Sequence, residues 1–299
     1  MKIGLIGLGS MGMGSALNLV AKGHEVHGCD LRPAALQELN AAGGHGTSLA
    51  ALPDGLDALV VFVVNAAQAE DVLFGSEGVV PRLVPGGVVL CCTTLAPEVA
   101  QRLATRVEAA GLLFLDAPVS GGSTGARAGS MTVMASGSAA AFDRAGPVLE
   151  AVAGKVWRLG EAAGAGSTMK MVNQLLAGVH IATAAEAMAL AIRAGADPQT
   201  VFDVITSSAG NSWMFQNRVP HILAGDDTPH SSVNIFVKDL GIVLDQARAL
   251  SFPLPLAAAA HQLFLAAAAA GHGGRDDAFV IRVWEALAGI ALPAAKETR

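Results

Sequence analysis

Four stretches of this 299-residue sequence combine residue types that carry chemistry. In Gly164-Ala165-Gly166-Ser167-Thr168-Met169-Lys170-Met171-Val172-Asn173, Lys170 and Asn173 lie three apart at the head of an apolar run. On a helix their side chains share one face. An amine and an amide are costly in apolar surroundings unless something polar meets them. A partly desolvated lysine has its pKa lowered toward neutrality, the condition for exchanging a proton with an alcohol. The competing reading is a surface-pointing lysine at a helix start. In Asp116-Ala117-Pro118-Val119-Ser120-Gly121-Gly122, a hydroxyl followed by two glycines can present successive N–H groups to an anion. The same residues also suit an ordinary strand-exit turn. Phe236-Val237-Lys238-Asp239-Leu240 adds a second isolated basic residue in an apolar helix, unless Lys238 and Asp239 form a surface pair.

The fourth stretch, Gly7-Leu8-Gly9-Ser10-Met11-Gly12, is a GxGxxG after an apolar run and before a helical one. The first glycine permits a tight turn, the second a close approach of backbone to a diphosphate, and the third close packing of helix on strand. A diphosphate then sits where free N–H groups and the helix dipole favour negative charge. Asp30 follows 18 residues after Gly12, where a carboxylate accepts from ribose hydroxyls. The same carboxylate repels a 2′-phosphate, so NAD is the expected cofactor, with Arg32 able to soften that preference. Asp30 would otherwise be a helix cap or turn residue before Pro33. The cofactor-binding set read here is Gly7, Leu8, Gly9, Ser10, Met11, Gly12, Asp30 and Leu31.

These residues need a scaffold, and the hydrophobic pattern supplies one. Ile3 to Ile6, Glu25 to Cys29, Ala58 to Val64, Val88 to Cys92 and Leu112 to Asp116 read as buried strands. Met11 to Lys22, Ala34 to Ala42, Ala67 to Phe74 and Pro97 to Ala109 read as the helices between them. Strands separated by helices of this length imply parallel pairing and a doubly wound sheet. Strands at Met131 to Ser136 and Val156 to Leu159 are expected to complete it. From Thr168 to Ala194 the chain has no proline and one glycine, Gly178, and predicts one helix about 40 Å long. The expected fold is α/β: an N-terminal Rossmann-like doubly wound sheet, a long central helix and an all-α C-terminal domain. The expected boundary separates a cofactor domain, 1–163, from a helical substrate and dimerisation domain, 164–299.

Composition narrows the function further. With 52% apolar and 15% charged residues the chain can bury a sizeable core, and a net charge of −6 offers no attraction to nucleic acid or anionic lipid. Lys170, His180, Glu186 and Arg193 argue against the long helix as a membrane span. The helix is instead expected to be covered on nearly all sides, by its own domain or by a second subunit in a homodimer or homotetramer. Cys29, Cys91 and Cys92 lack zinc-site spacing and read as buried, reduced thiols of a cytoplasmic protein, and no metal is expected. The apolar stretch after Met1 is short and broken by glycine, so it reads as a strand and not an export signal.

Taken in chain order, the four motifs closely resemble the β-hydroxyacid dehydrogenase family, whose members include 3-hydroxyisobutyrate dehydrogenases, tartronate semialdehyde reductases and L-threonate dehydrogenases. The resemblance covers essentially the whole chain. It implies NAD-dependent oxidation of a small hydroxy acid with Lys170 as general acid/base. It further implies that Ser120, Gly121 and Gly122 hold the substrate carboxylate and that Asn173 orients substrate. Thr94 matches a cofactor-contacting threonine, and Lys238 a lysine that closes over cofactor and substrate. Ser207 to Phe215, Val172-Asn173-Gln174 and Phe252 to Pro255 look most like the L-threonate branch; hydroxyisobutyrate enzymes usually carry a second Asn where this chain has Gln174. Asn211 and Ser212 would meet additional hydroxyls of a sugar acid, or else break and cap a helix. Hydroxyisobutyrate or tartronate semialdehyde chemistry and a catalytically silent nucleotide-binding protein are the rival readings. Imine reductases on this scaffold usually replace the lysine that is present here.

Overall fold

Alternating elements build the first half of the chain in the computed structural model, which describes residues 1–293. In order they are β1 (Lys2–Ile6), α1 (Ser10–Ala21), β2 (Glu25–Cys29), α2 (Pro33–Ala41), β3 (His45–Thr47), β4 (Leu56–Val61), α3 (Ala66–Phe74), β5 (Leu83–Cys91), α4 (Pro97–Ala109) and β6 (Leu113–Asp116). The six strands pair in parallel in the order β3-β2-β1-β4-β5-β6. This is the doubly wound order whose reversal point lies beside β1. β3 was not expected; His-Gly-Thr is too short to show a period. β4 stops at Val61 and not at Val64.

The strands are apolar without alternation because both faces of the sheet are covered. Ile3 and Leu5 of β1, Val60 of β4 and Leu90 of β5 join one core, with Leu19 of α1 and Leu39 of α2. Ile6, Leu59, Val61 and Val89 join the other, with Leu73 of α3 and Leu103 of α4. Each large side chain so buried contributes roughly 1.5–3 kcal/mol.

The chain continues through β7 (Val119–Ser120), α5 (Gly122–Arg127), β8 (Met131–Ala135), α6 (Ala139–Val152) and β9 (Ala153–Arg158). Here the structure corrects the sequence reading: these strands do not complete the parallel sheet but form a second, three-stranded one, β7-β8-β9. Pro118 explains the split. Asp116 bridges Ser136, and Val119 and Ser120 pair with Val133 and Thr132, all in one antiparallel register. Between them Pro118 has no N–H to give and contributes only its carbonyl, which accepts from the Met134 N–H at 2.9 Å. Ala117 meanwhile donates to Cys91 of β5 at 2.9 Å.

A single helix, α7 (Ala165–Arg193), follows, three residues longer at its start than the sequence suggested. The chain divides inside it into two compact units, Met1–Met171 and the residues from Val172 onward. The second unit is helical: α8 (Pro198–Thr206), α9 (Trp213–Ala224), α10 (Val233–Ala249), α11 (Pro255–Ala267) and α12 (Val283–Ala288). Phe236 of α10 stacks on Phe264 of α11 with ring centroids 5.1 Å apart. A Cβ on Gly178 of α7 would lie 3.0 Å from Leu240 and Phe236, so this glycine lets α7 and α10 approach closely. α7 is long and apolar enough to cross a membrane by length and composition. It is not covered on all sides within the chain: Met169, Val172, Leu176 and Leu190 are exposed.

Candidate active site

One registered row of residues crosses the parallel sheet near its C-terminal edge: Cys29, Ile6, Val61, Cys91 and Asp116. Ligands of open α/β sheets bind beyond that edge. The glycine turn follows Ile6, Asp30 follows Cys29, Thr94 lies three residues past Cys91, and Ser120 four past Asp116. The sheet therefore gathers the expected residues of the first unit at one edge.

The three glycines of the first turn are held for different reasons. Gly7 has φ +93°, and a Cβ there would lie 2.6 Å from the Phe62 carbonyl oxygen. A Cβ on Gly12 would lie 1.8 Å from the Gly7 carbonyl oxygen. Around Gly9 nothing comes within 4 Å. Packing thus demands Gly7 and Gly12, while Gly9 faces open space, as a cradle for a diphosphate requires. Gly9 is the N-cap of α1 and supplies no side chain to occupy the helix N-terminus. Leu8 is buried in the core, Ser10 is exposed and Met11 half-buried. The Leu8 N–H donates to Asp30 Oδ2 at 2.8 Å, which ties the two turns together.

Asp30 joins the two turns through local contacts. Its Oδ1 accepts from the Arg32 N–H at 2.9 Å and from Arg32 Nε at 3.0 Å, and the same guanidinium donates to the Leu8 carbonyl at 2.8 Å. Burial pushes the carboxyl up, but the donors from Arg32 and Leu8 outweigh it and hold Asp30 below the usual carboxylate range. Next to it Leu31 is 99% exposed, an apolar side chain in water.

Ser120 ends β7, and Gly121 (φ +134°) and Gly122 (φ +63°) take backbone conformations that favour glycine. A Cβ on Gly122 would meet nothing within 4 Å, so this turn too has an open side. Gly14 of α1 packs against the backbone of Ala126 and Arg127 in α5, and Asn18 Nδ2 donates to the Ala126 carbonyl at 2.7 Å. These contacts pack α5, which follows the Ser120 turn, against α1, which follows the glycine turn.

Lys170 is buried, 8% exposed, which removes the surface-lysine reading. Its helix is anchored by Asp116, which is fully buried at the end of β6. Asp116 Oδ2 accepts from the N–H groups of Gly164 and Ser167 at 2.9 and 2.8 Å, and Oδ1 from Ser167 Oγ at 2.8 Å. Ser136 Oγ donates to Asp116 Oδ2 at 3.3 Å and accepts from the Gly166 N–H at 3.0 Å. The unpaired N–H groups of the first turn of α7 are met by these side chains. Lys170 follows Ser167 by three residues, on the same helix face. Burial pushes the Asp116 carboxyl up in spite of its donors. Gly166 is required as well, since a Cβ there would lie 2.4 Å from the Met134 carbonyl oxygen.

In the second unit, Asn173 Nδ2 donates to Gln174 Oε1 at 3.0 Å, and Gln174 Nε2 donates to Asp239 Oδ2 at 2.6 Å. Lys238 Nζ lies 2.5 Å from Asp239 Oδ1. Asp239 is 2% exposed, so the Lys238–Asp239 pair is not a surface pair. Ser212 caps α9 by accepting from the Phe215 N–H at 3.0 Å. Asn211 Oδ1 is buried with no hydrogen-bond partner among the described residues.

Family models match both parts of the chain: the NAD-binding domain of 6-phosphogluconate dehydrogenase over residues 2–160, and the NAD-binding region of NADP-dependent 3-hydroxyisobutyrate dehydrogenase over 164–284. An L-threonate dehydrogenase of Cupriavidus necator is 57% identical over 99% of both chains. The chain belongs to the 3-hydroxyisobutyrate dehydrogenase family. A second L-threonate dehydrogenase, from Escherichia coli, is 55% identical over 98% of this chain and 97% of its own. A crystal structure of a 3-hydroxyisobutyrate dehydrogenase from Salmonella typhimurium superposes with a TM-score of 0.90 at 52% identity, covering 94% of this chain and 99% of that one. This family member is an NAD-dependent hydroxyacid dehydrogenase. NAD is its cofactor, and the open Gly9 cradle with ionised Asp30 fits that group.

Two features of the dehydrogenase escaped sequence reasoning. Asp116 was seen only as part of a motif, because the donors it serves lie about fifty residues later. Gln174 was seen only as a difference from hydroxyisobutyrate enzymes, because its partner lies on α10. Cys29, Cys91 and Cys92 are free and buried, as expected, and burial pushes the Cys29 and Cys91 thiols up to about 12.

Proposed function

We propose that this dehydrogenase oxidises L-threonate to 2-oxo-tetronate (2-dehydro-L-erythronate). The observation that carries the chemistry is buried Lys170, held on the helix turn that Asp116 caps, in the same compact unit as the dinucleotide turn and the Ser120 turn. The bound nicotinamide supplies the hydride acceptor. Ser120 and the Gly121 and Gly122 N–H groups anchor the substrate carboxylate, and Thr94 contacts the cofactor. Neutral Lys170 takes the hydroxyl proton during oxidation and returns it from the ammonium during reduction. Gly7 to Gly12, Asp30 and Leu31 hold the dinucleotide; Asn173 orients substrate, and Lys238 contacts both ligands.

Support for the substrate comes from relatives named L-threonate dehydrogenase that are 50–57% identical over nearly the whole chain. The buried Oδ1 of Asn211, which has no hydrogen-bond partner among the described residues, adds an acceptor suited to an extra hydroxyl. A second reading, 3-hydroxyisobutyrate, is favoured by the likeness to the Salmonella 3-hydroxyisobutyrate dehydrogenase. Initial rates of NADH formation on L-threonate, D-threonate, D-erythronate, 3-hydroxyisobutyrate and D-glycerate, with NAD and NADP in parallel, separate them. Dominance of L-threonate with NAD is expected; dominance of another acid overturns the substrate and leaves the family.

The exposed apolar residues Met169, Val172, Leu176 and Leu190 on α7 support a homodimer or homotetramer, to be distinguished by light scattering. Three free, buried thiols support a cytoplasmic location, which fractionation tests.

A further inference from the structure

We infer that Gln174 is a positioning residue that couples Asn173 to Lys238 through Asp239. The inference rests on the reading above that Asn173 and Lys238 contact ligands. Gln174 reaches from α7 to α10, one helical turn before Gly178, where the two helices approach most freely. Its side chain is buried, and both ends of its amide are engaged: Nε2 by Asp239 at 2.6 Å and Oε1 by Asn173 at 3.0 Å.

The orientation of this amide is chemically determined. A carboxylate oxygen only accepts, so Nε2 must face Asp239 and Oε1 must face Asn173. That in turn commits Asn173 to donating from Nδ2. A solvent-facing asparagine amide has no such preference, because its two ends have nearly the same shape. Asn173 thereby keeps its Oδ1 and one remaining N–H for other partners, with their places assigned.

At the other end, Asp239 is almost wholly buried, and its two oxygens are divided between two partners. Oδ2 takes the Gln174 amide. Oδ1 takes the Lys238 ammonium at 2.5 Å, as an ion pair without a directed hydrogen bond. A buried carboxylate with one oxygen fixed has little freedom to rotate, so Gln174 also fixes the charge that Lys238 follows. An asparagine at this position is one methylene shorter and would not span the distance to Asp239.

Three variants test this. Gln174→Met keeps side-chain length and apolar packing but removes both hydrogen bonds. Its KM for the hydroxy acid is expected to rise about tenfold, and its melting temperature to fall by a few degrees because the buried Asp239 Oδ2 loses its donor. Lys238→Ala in that background should cost less than about twofold further, because groups in one network do not add independently. Parental kinetics in Gln174→Met, or fully additive effects, would overturn the coupling.

Gln174→Glu adds a pH signature that space-filling alone would not produce. Two carboxyls at this distance cannot both ionise easily, and the introduced carboxyl, once protonated, can donate to Asp239 as the amide does. The activity of this variant relative to the parent is expected to recover as pH falls. A ratio independent of pH overturns the proposal, even if Gln174→Met does not fold. Parental kinetics in both Asn173→Ala and Lys238→Ala would remove the site reading itself. Impaired Asn173→Ala and Lys238→Ala beside an unimpaired Gln174→Met would overturn the coupling alone.

Discussion

Two buried carboxylates, one in each compact unit, are stabilised in different ways. Asp116 is met by neutral donors: two backbone N–H groups and the hydroxyls of Ser167 and Ser136. Asp239 is met by the Lys238 ammonium and the Gln174 amide. The first arrangement holds backbone, the start of α7, and through it the height of Lys170. The second holds side chains that lie next to it in sequence or one bond away in the network. A carboxylate that caps a helix is a fixture of the fold, whereas one shared among side chains sets their relative positions.

The largest expected effect lies on the Asp116 side, at the residue it positions. Lys170→Ala should reduce turnover by roughly 10²–10⁴-fold while retaining NADH binding, measured by steady-state kinetics and fluorescence titration. A near-parental kcat would remove Lys170 from the mechanism. Asp116→Ala should come next. It strips the partners from the first turn of α7 and is expected to cost roughly 2–4 kcal/mol of stability, read by denaturant unfolding. Because Lys170 rides on that turn, kcat should fall as well. A stability loss without a kcat loss would separate the cap from the catalytic position.

Acid stability sharpens the contrast further. Asp276 is buried too, but His221 Nδ1 at 3.0 Å and the N–H groups of His230 and Ala278 outweigh burial and hold its carboxyl below the usual range. A depressed carboxyl contributes stability that is present above the unfolded pKa of about 3.9 and lost as pH falls through the lower folded value. Asp116, raised by burial, has the opposite sign: its share declines as pH rises from about 3.9 through its folded value. Asp276→Asn should therefore flatten the acid limb of melting temperature against pH, and Asp116→Asn should steepen it. The smallest effect is expected at the cofactor. Asp30→Ala should lower the NAD/NADP preference about tenfold, because it removes the ribose acceptor and releases Arg32 toward a 2′-phosphate. An unchanged ratio of kcat/KM values would exclude Asp30 from the ribose contact.

Much of the fold was legible in the sequence because it depends on local pattern. β2 and α4 were bounded correctly, since Glu25–Cys29 and Pro97–Ala109 carry their own signals of burial and of a proline start. The sheet was misread at β3, whose three residues show no period, at the end of β4, and above all at Pro118. At Pro118 a missing N–H divides a ribbon whose partner strand lies more than a dozen residues away. Lys170 and the glycine turn were legible through residue type and spacing. The supports beneath them were not: Asp116 meets its donors across about fifty residues, and Gln174 meets Asp239 across the gap between two helices. Such pairings depend on tertiary approach, which no window of sequence contains.

The open space around Gly9 has a practical consequence. In most glycine-rich turns, a failed binding assay after substitution is ambiguous, because the turn and its ligand are damaged together. Here the two roles are divided among neighbouring positions, with Gly7 and Gly12 committed to the backbone and Gly9 free of contacts. A methyl group at position 9 would project into the open space proposed for the dinucleotide and not into the protein. It therefore offers a near-silent control, an otherwise intact molecule from which the dinucleotide alone has been excluded.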